Sequence, residues 1–325
     1  MKRYLVTGGA GFIGSHLVEQ LLLQGHNVTV IDSLVTGSRE NQADLFEYRA
    51  SGRLVLNEED VSSFAGLEDV VESVDGVFHL AAMLGVENIL QNTLLSMQNN
   101  LRATESILEC CAKYRTPLLF TSSSEVYGQS DKPLFSEDDQ LHIGSTSQPR
   151  WSYASTKIVE EQLMMAYHRE RSLPAVIARL FNTIGERQSA KYGMVVPRFI
   201  GQALRGEPLT VYGDGTQQRC FCAVQDVVGA MVQLIGCEDA QGEVMNIGSQ
   251  ELISIQELAK LIINRTGSTS SLKCIPYDKI AAGGFVDMRY RMPDLSKITT
   301  VIGYRPSWSL TQVIDSLITY EKNRS

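Results

Sequence analysis

The sequence predicts an α/β fold: a doubly wound parallel sheet, with a smaller C-terminal α+β domain interleaved with it. Three observations carry that prediction. Through the first half, short contiguous apolar runs alternate with helix-length stretches, which is how a parallel sheet covered on both faces reads. The first of those runs ends in three glycines at spacing three, Gly8, Gly11 and Gly14, immediately before a helical stretch. The second half is turn-rich and carries no repeat, low-complexity segment or linker, so a second domain has to interleave with the first. The expected division is 1–181 with 223–249 for the sheet domain, and 182–222 with 250–325 for the smaller one.

Element by element, Lys2–Thr7 reads as the first strand and Ser15–Gln24 as the first helix, with Leu17, Leu21 and Leu22 on one stripe. Val28–Asp32 is a second strand ending in an acid, followed by a polar loop, Ser33–Asn41. Arg53–Asn57 is a strand, Gly66–Ser73 a helix, and Gly76–Ala82 a strand that runs into small residues. Asn88–Tyr114 is mostly helical until Arg115-Thr116-Pro117 breaks it, because proline lacks the N–H and restricts the residue before it. The strand Leu118–Ser122, the helix Tyr153–Arg171 and the strand Ala175–Phe181 complete the alternation. Beyond a polar stretch, Thr183–Gly193, the segment Met194–Arg205 is helical. Leu209–Cys222 is turn-rich, with Gly213-Asp214-Gly215 as a hairpin signal. Gln225–Ile235 is helical and Val244–Ile247 a short strand. Ser254 and Glu257 make the capping-box pattern at the start of a helix, Ser254–Arg265. Two last helical stretches within Asp294–Tyr320 are split by Gly303-Tyr304-Arg305-Pro306.

The bulk properties narrow the function. A chain of 325 residues is too long for one small core and suits two domains. A net charge of −8 gives a nucleic-acid partner no electrostatic support. No apolar run approaches the ~18 residues a membrane helix needs. Met1-Lys2-Arg3 leads straight into the strand before the glycines, which is not a signal-peptide pattern. Six cysteines, at 110, 111, 220, 222, 237 and 274, form no Cys-x-x-Cys pair and no cluster with histidine. Reduced thiols in a cytoplasmic protein with no metal site are therefore expected.

The glycines carry the first chemistry. A tight turn that needs positive φ, close approach of a phosphate to the backbone, and close packing of the helix on the strand each favour glycine. The unpaired N–H groups and positive dipole of the helix N-terminus suit a pyrophosphate. Asp32 stands about where the dinucleotide fold places a carboxylate for the ribose, roughly twenty residues on. That acid favours NAD over NADP, since it would repel a 2′-phosphate; Arg39 is the one nearby cation. Ala81 and Ala82 at the end of a strand admit either a flat ring or a closely packed helix. Further on, Thr121–Gly128 closes a strand with serines, and Tyr153 and Lys157 share a helix face at i and i+4. A tyrosine is a general base only if its pKa falls from ~10 toward the working pH. A drop of ~3 units takes about 4 kcal/mol, which one cation a few ångströms away supplies. Lys157 is such a cation, an oxidised nicotinamide ring would be a second, and Ser123 or Ser124 would hold the substrate oxygen.

With these residues the chain resembles the extended short-chain dehydrogenase/reductase family, in particular its NAD-dependent nucleotide-sugar epimerases and dehydratases. The likeness covers nearly the whole chain. It rests on Thr7–His16, Asp32, Asp60-Val61, His79–Ala82, Asn100 with Thr104, Ser122–Gly128, Tyr153 with Lys157, Arg179–Asn182, Gly213–Gly215, Arg219 and Asp226. It implies a Rossmann domain holding NAD and a smaller domain holding the nucleotide of a UDP-sugar. By the match, Gly8, Gly11, Phe12, Ile13, Gly14, Asp32, Ser33, Asp60, Val61, Leu80, Ala81, Ala82, Asn100, Tyr153 and Lys157 would bind NAD, and Ser123 would be the catalytic Ser/Thr. Asn182, Val196, Tyr212, Arg219 and one of Arg289 or Arg291 would bind the UDP portion. The likeness further implies a homodimer built from the helices Asn88–Tyr114 and Tyr153–Arg171.

The shared first step oxidises the sugar at C4, and the fate of the 4-keto sugar separates the members. Ser124-Glu125 stands where a 4,6-dehydratase would have an Asp–Glu pair, and the missing Asp argues against that reaction. Ser124-Glu125 and Gln148–Tyr153 are similar to the UDP-glucuronate decarboxylases, while Gly193–Phe199 is similar to the epimerases. The expectation is a UDP-hexose or UDP-hexuronate 4-epimerase, with a UDP-glucuronate decarboxylase as the alternative. A non-catalytic NAD-binding sensor on the same fold is the reading of another class, and the presence of both Tyr153 and Lys157 weighs against it.

Overall fold

The computed structural model describes residues 1–83, 92–130, 132–189, 194–276 and 289–324. The opening residues of the helix expected at Asn88–Tyr114, up to 91, and Gly193 of the epimerase-like motif lie outside the described residues.

The chain runs β1 (Arg3–Thr7), α1 (Phe12–Leu23), β2 (Asn27–Ile31), α2 (Phe46–Ala50), β3 (Leu54–Asn57), α3 (Leu67–Ser73), β4 (Gly76–His79), α4 (Thr93–Tyr114), β5 (Leu118–Ser123), α5 (Ser152–Arg171) and β6 (Ala175–Leu180). It continues with β7 (Thr183–Ile184), α6 (Val195–Leu204), β8 (Leu209–Tyr212), β9 (Gln218–Cys220), β10 (Cys222–Ala223), α7 (Val224–Leu234), β11 (Glu243–Ile247), β12 (Leu252–Ser254) and α8 (Ile255–Thr266). β13 (Leu272–Ile275), α9 (Ser296–Ile302) and α10 (Leu310–Arg324) follow. A 3₁₀ turn at Arg39–Leu45 begins inside the expected polar loop Ser33–Asn41, and the short α2 follows where the sequence predicts no element.

Seven strands form one sheet in the order β11-β6-β5-β4-β1-β2-β3, and every pairing in it is parallel. The chain builds outward from β1 to β3, returns, and builds the other way from β4. The order therefore reverses between β1 and β4, and the crevice beyond their carboxyl ends is where such a sheet binds ligands. Alternation along each strand feeds two cores. Val6, Phe78 and Leu119 pack with Leu17 and Leu21 of α1 and Val227 and Met231 of α7. Leu5, Val77, Phe120 and Ile177 face the other way, onto Ile107 and Leu108 of α4 and Met164 of α5. Each such fully buried side chain contributes about 1.5–3 kcal/mol, before the entropy that folding costs.

A separate core lies in the smaller unit, where Val196 and Phe199 of α6, Val211 of β8, Leu258 and Ile262 of α8 and Ile314 of α10 meet. Leu295, Ile298 and Tyr304 pack instead into the core under β1 and α7, although the expected division puts 250–325 wholly in the smaller domain. The capping box forms as read. Ser254 Oγ accepts from Glu257 N at 3.1 Å, and Ser254 N donates to Glu257 Oε2 at 3.0 Å.

The hairpin expected at Gly213-Asp214-Gly215 does not form. Both glycines take positive φ, 68° and 76°, and Asp214 Oδ1 accepts from Thr216 N at 2.9 Å, so the turn itself is real. Its flanking strands diverge, however: β8 pairs in parallel with β13, and β9 pairs antiparallel with β12. Both partners come from much later in the chain, and they out-compete the local pairing. No helix among the described residues is long and apolar enough to cross a membrane.

Candidate active site

The glycine loop leaves β1 beside β4. Gly8 has φ +71°, and a Cβ there would meet Ala81 N at 2.8 Å. Gly11 is the N-cap of α1 and donates to Gly8 O at 3.1 Å. A Cβ on Gly14 would lie 2.1 Å from Gly8 O, so α1 packs on the loop only because that atom is missing. Phe12 and Ile13 begin α1, half-buried. Asp32, at the end of β2, accepts from Ala10 N at 2.9 Å and from Leu34 N at 2.8 Å. The acid thus braces the loop through both of its oxygens. Burial pushes its pKa up, against the lowering by these backbone hydrogen bonds. Ser33 is exposed, and Arg39 pairs with Glu58.

Asp60 Oδ1 accepts from Ser62 N at 2.8 Å and so closes its own turn, and Val61 is buried in the core beside Leu5. Leu80, Ala81 and Ala82 follow β4 into the crevice, half-buried. Asn100 of α4 accepts from Met83 N at 2.8 Å. Its Nδ2, like Ser122 Oγ at the end of β5, is buried without a hydrogen-bond partner among the described residues. A buried donor left unpaired costs about 1–3 kcal/mol. Two such atoms at the mouth of a crevice floored by bare glycine backbone fit a bound dinucleotide.

Tyr153 and Lys157 lie in the first turns of α5, facing the end of β5. Ser123 Oγ accepts from Glu125 N at 3.2 Å and hydrogen-bonds the Tyr153 hydroxyl; Ser124 is buried. Lys157 Nζ sits 3.1 Å from Glu160 Oε2 and 4.3 Å from the centre of the Phe120 ring. Tyr153 is raised above the ordinary phenol value. Burial is the largest cause, the charges of Glu160 and Glu125 add to it, and the Ser123 hydrogen bond opposes it. Lys157, expected from the sequence to lower the tyrosine, is held by Glu160 in this arrangement. The i,i+3 spacing of Glu160 from Lys157 was the available signal, and sequence reasoning passed over it.

Glu125 pairs with Arg291 at 2.6 Å. Burial alone would raise this carboxyl, but Arg291, Arg150 and Arg219 together hold it below the ordinary value. Of the two arginines left open by the sequence, Arg291 is thus committed to Glu125, while Arg289 is exposed. On the smaller unit's side, Asn182 donates to Cys220 O at 3.0 Å, and Arg219 Nη1 donates to Gln218 O at 2.7 Å. Tyr212 lies under the Arg198 guanidinium at 4.2 Å, a cation not foreseen from the sequence. The Val196 side chain is buried in the second core, so only its backbone is free to meet a ligand.

A crevice of this kind, with a glycine loop at one strand end and a Tyr–Lys pair at another, is matched by a family model. Residues 4–248 match the NAD dependent epimerase/dehydratase family. The chain belongs to that family. Its cofactor is NAD, which the loop, Asp32 and Asn100 fit. The chain is 39% identical over 318 residues to a UDP-N-acetyl-alpha-D-glucosaminuronate decarboxylase of Bacillus cytotoxicus, covering 98% of this chain and 97% of that protein. It is 34% identical to UDP-glucuronic acid decarboxylase 1 of Danio rerio, over 98% of this chain and 72% of the relative. Among solved structures it is similar to UDP-glucuronic acid 4-epimerase from Bacillus cereus in complex with UDP-glucuronic acid and NAD. That likeness has a TM-score of 0.88 at 30% identity, over 99% of this chain and 100% of that one.

Proposed function

We propose that the protein is a UDP-hexuronate decarboxylase working through a 4-keto intermediate. The Glu125–Arg291 pair beside Tyr153 supports a hexuronate as the substrate, and the likeness to a hexuronate decarboxylase carries the choice of decarboxylation. Glu125 by itself would repel a substrate carboxylate at C6, and Arg291 offsets that repulsion. A neutral hexose needs neither group. The near full-length likeness to a hexuronate decarboxylase supports the same choice over the 4-epimerase expected from sequence.

The glycine loop and the α1 N-terminus would hold the NAD pyrophosphate, Asp32 a ribose, and Asn100, Tyr153 and Lys157 the nicotinamide end. NAD, when bound, supplies a hydride acceptor at C4 and returns the same hydride, so no external reductant is consumed. Tyr153, with Ser123 holding the substrate oxygen, takes the 4-hydroxyl proton as C4 is oxidised. With NAD bound, a positive ring beside the hydroxyl would lower the tyrosine for that step, aided by the part of the Lys157 charge that Glu160 leaves to it. In the resulting β-keto acid the C5–C6 bond breaks, its electron pair passes to C5 and the ketone oxygen, and CO2 leaves. A solvent proton then adds at C5, and Tyr153 gives its proton back to the C4 oxygen as C4 takes its hydride back. Arg219, Arg289, Tyr212 and Asn182 would hold the UDP portion, the arginines pairing with phosphate oxygens.

The likeness to the B. cereus enzyme favours a second reading, 4-epimerisation of the same acid. Parallel proton NMR time courses with UDP-glucuronate, UDP-N-acetylglucosaminuronate and UDP-glucose separate the two. The expected product is a UDP-pentose with release of CO2, at an irreversible end point. An equilibrium mixture of hexuronates with C6 retained would establish the epimerase and overturn the decarboxylase. We further propose a homodimer formed through the outer faces of α4 and α5, where Leu94, Leu95 and Val159 are exposed, in a reducing, cytoplasmic setting that suits six free cysteines.

A further inference from the structure

The helix that carries Tyr153 and Lys157 also carries Glu160, one turn beyond the lysine on the same face. The reaction described above does not use it. Its side chain is nonetheless 1% exposed, and that of Lys157 is 2% exposed. A buried carboxylate is costly unless it is both paired and hydrogen-bonded. Glu160 is both: Oε2 lies 3.1 Å from Lys157 Nζ, and Oε1 accepts from Thr104 Oγ1 at 2.6 Å.

From Thr104 the bonds continue inward. Thr104 Oγ1 lies 3.1 Å from His79 Nε2, and His79 Nδ1 lies 2.7 Å from Thr7 Oγ1. Thr7 Oγ1 in turn accepts from Ala81 N at 3.2 Å. The two ends set the direction, because an amide N–H only donates and a carboxylate only accepts. The Thr7 hydroxyl then donates to Nδ1, Nε2 donates to Thr104, and Thr104 donates to Glu160. This needs a neutral imidazole. Burial, helped by the charge of Lys157, pushes His79 down to about 3, which keeps it neutral. One continuous line of donors therefore runs from Ala81, the residue Gly8 packs against, to the carboxylate that holds Lys157.

We propose that Glu160 is a positioning residue for the reaction: it fixes Lys157 in an internal ion pair and withholds part of that ammonium's charge from the Tyr153 hydroxyl. This rests on Tyr153 being the base. Glu160 on α5 and Glu125 after β5 act on that hydroxyl, and Lys157 shares its helix face four residues on. Behind them lie His79 on β4 and Arg291, Arg150 and Arg219 around Glu125. Removing the Glu160 charge takes a negative group away from a phenolate and leaves Lys157 to act on it alone. Both effects favour the phenolate.

The test is an ultraviolet difference titration of the NAD-loaded protein, with the Tyr153→Phe protein subtracted to isolate the tyrosinate band of Tyr153. In Glu160→Gln the transition is expected about one pH unit lower or more, and the acid limb of kcat moves with it. Glu160→Asp restores the charge and returns the transition toward the wild type. Glu160→Ala, which removes the charge and leaves room for water, moves it down as well and serves if the Gln protein fails to fold. A transition that is unmoved, moves upward, or stays beyond the accessible range in the charge-removing variants overturns the proposal. The titration needs no substrate, so it is judged separately from turnover: failure to convert any UDP-sugar would sink the proposed reaction and leave this result standing.

Discussion

At the residue scale, Tyr153 is the group on which the proposed reaction turns, and its surroundings do not favour the phenolate that reaction needs. Burial, Glu160 and Glu125 all favour its protonated form, so a positive charge arriving with the cofactor would help to free it. Tyr153→Phe keeps the ring and loses the proton carrier. Turnover is expected to fall by about 10²–10⁴-fold, while NAD released on denaturation is unchanged; a near-native rate would remove Tyr153 as the base. Glu125 makes a pH-dependent contribution of definite sign. Its folded pKa is below the ordinary value, so its stabilisation is complete above about pH 5 and is lost as the pH falls through the lowered value. Glu125→Gln also leaves the Arg291 guanidinium, 8% exposed, without its charge partner. In urea unfolding, the gap between wild type and Glu125→Gln is expected to be constant near neutrality and to close on acidification. A gap independent of pH would show that the pair is not the source.

At the element scale, the strand–loop–helix unit β1–α1 shows how few atoms decide a ligand site. The helix sits on the loop because Gly14 has no Cβ; a methyl group there would fall 2.1 Å from Gly8 O. Such an overlap with backbone is not relieved by a rotamer change, so α1 must shift and take its N-terminal amides with it. Gly14→Ala is expected to be purified without NAD and to melt at lower temperature than the wild type. Retention of stoichiometric NAD would show that the loop tolerates the displacement. α5 is the other element that concentrates function. Besides Tyr153, Lys157 and Glu160 it carries Glu161, which binds Arg179 of β6 through bonds of 3.0 and 2.7 Å. Two adjacent acids on one helix thus serve different ends, one pairing internally with Lys157 and one clamping the helix to the sheet.

At the scale of the whole molecule, two cores meet over the crevice, and the last third of the chain crosses between them. Ile298 and Tyr304 return to the main core before α10 joins the second. Asp226, at the start of α7, accepts from Ser307 N and Trp308 N, each at 3.1 Å, and pins that return. The same path carries Arg291 to Glu125. The outer faces of α4 and α5 leave Leu94 71% and Val159 44% exposed, which is the area the proposed dimer would cover. Light scattering at micromolar concentration is expected to give twice 36.0 kDa. A monomer mass would mean that those helices serve only to cover the sheet.

The sequence by itself determined whatever depends on neighbours in the chain. Gly8, Gly11 and Gly14 announce the tight strand-to-helix turn, contiguous apolar runs announce the parallel sheet, and Ser254 with Glu257 announces a helix start. Each of these signals is local in its physics: a dihedral preference, a hydrophobic period, or a cap three residues long. Only the tertiary structure decided which strands pair beyond the main sheet, and so β8 took β13 where a hairpin was expected. Only it decided that Arg291, 166 residues from Glu125, reaches that carboxylate, whereas Arg289 does not. It also decided that Lys157 is spent on Glu160. Those outcomes depend on the path of the chain and on burial, which sets how strongly one charge feels another. Neither quantity is written in the spacing of residues.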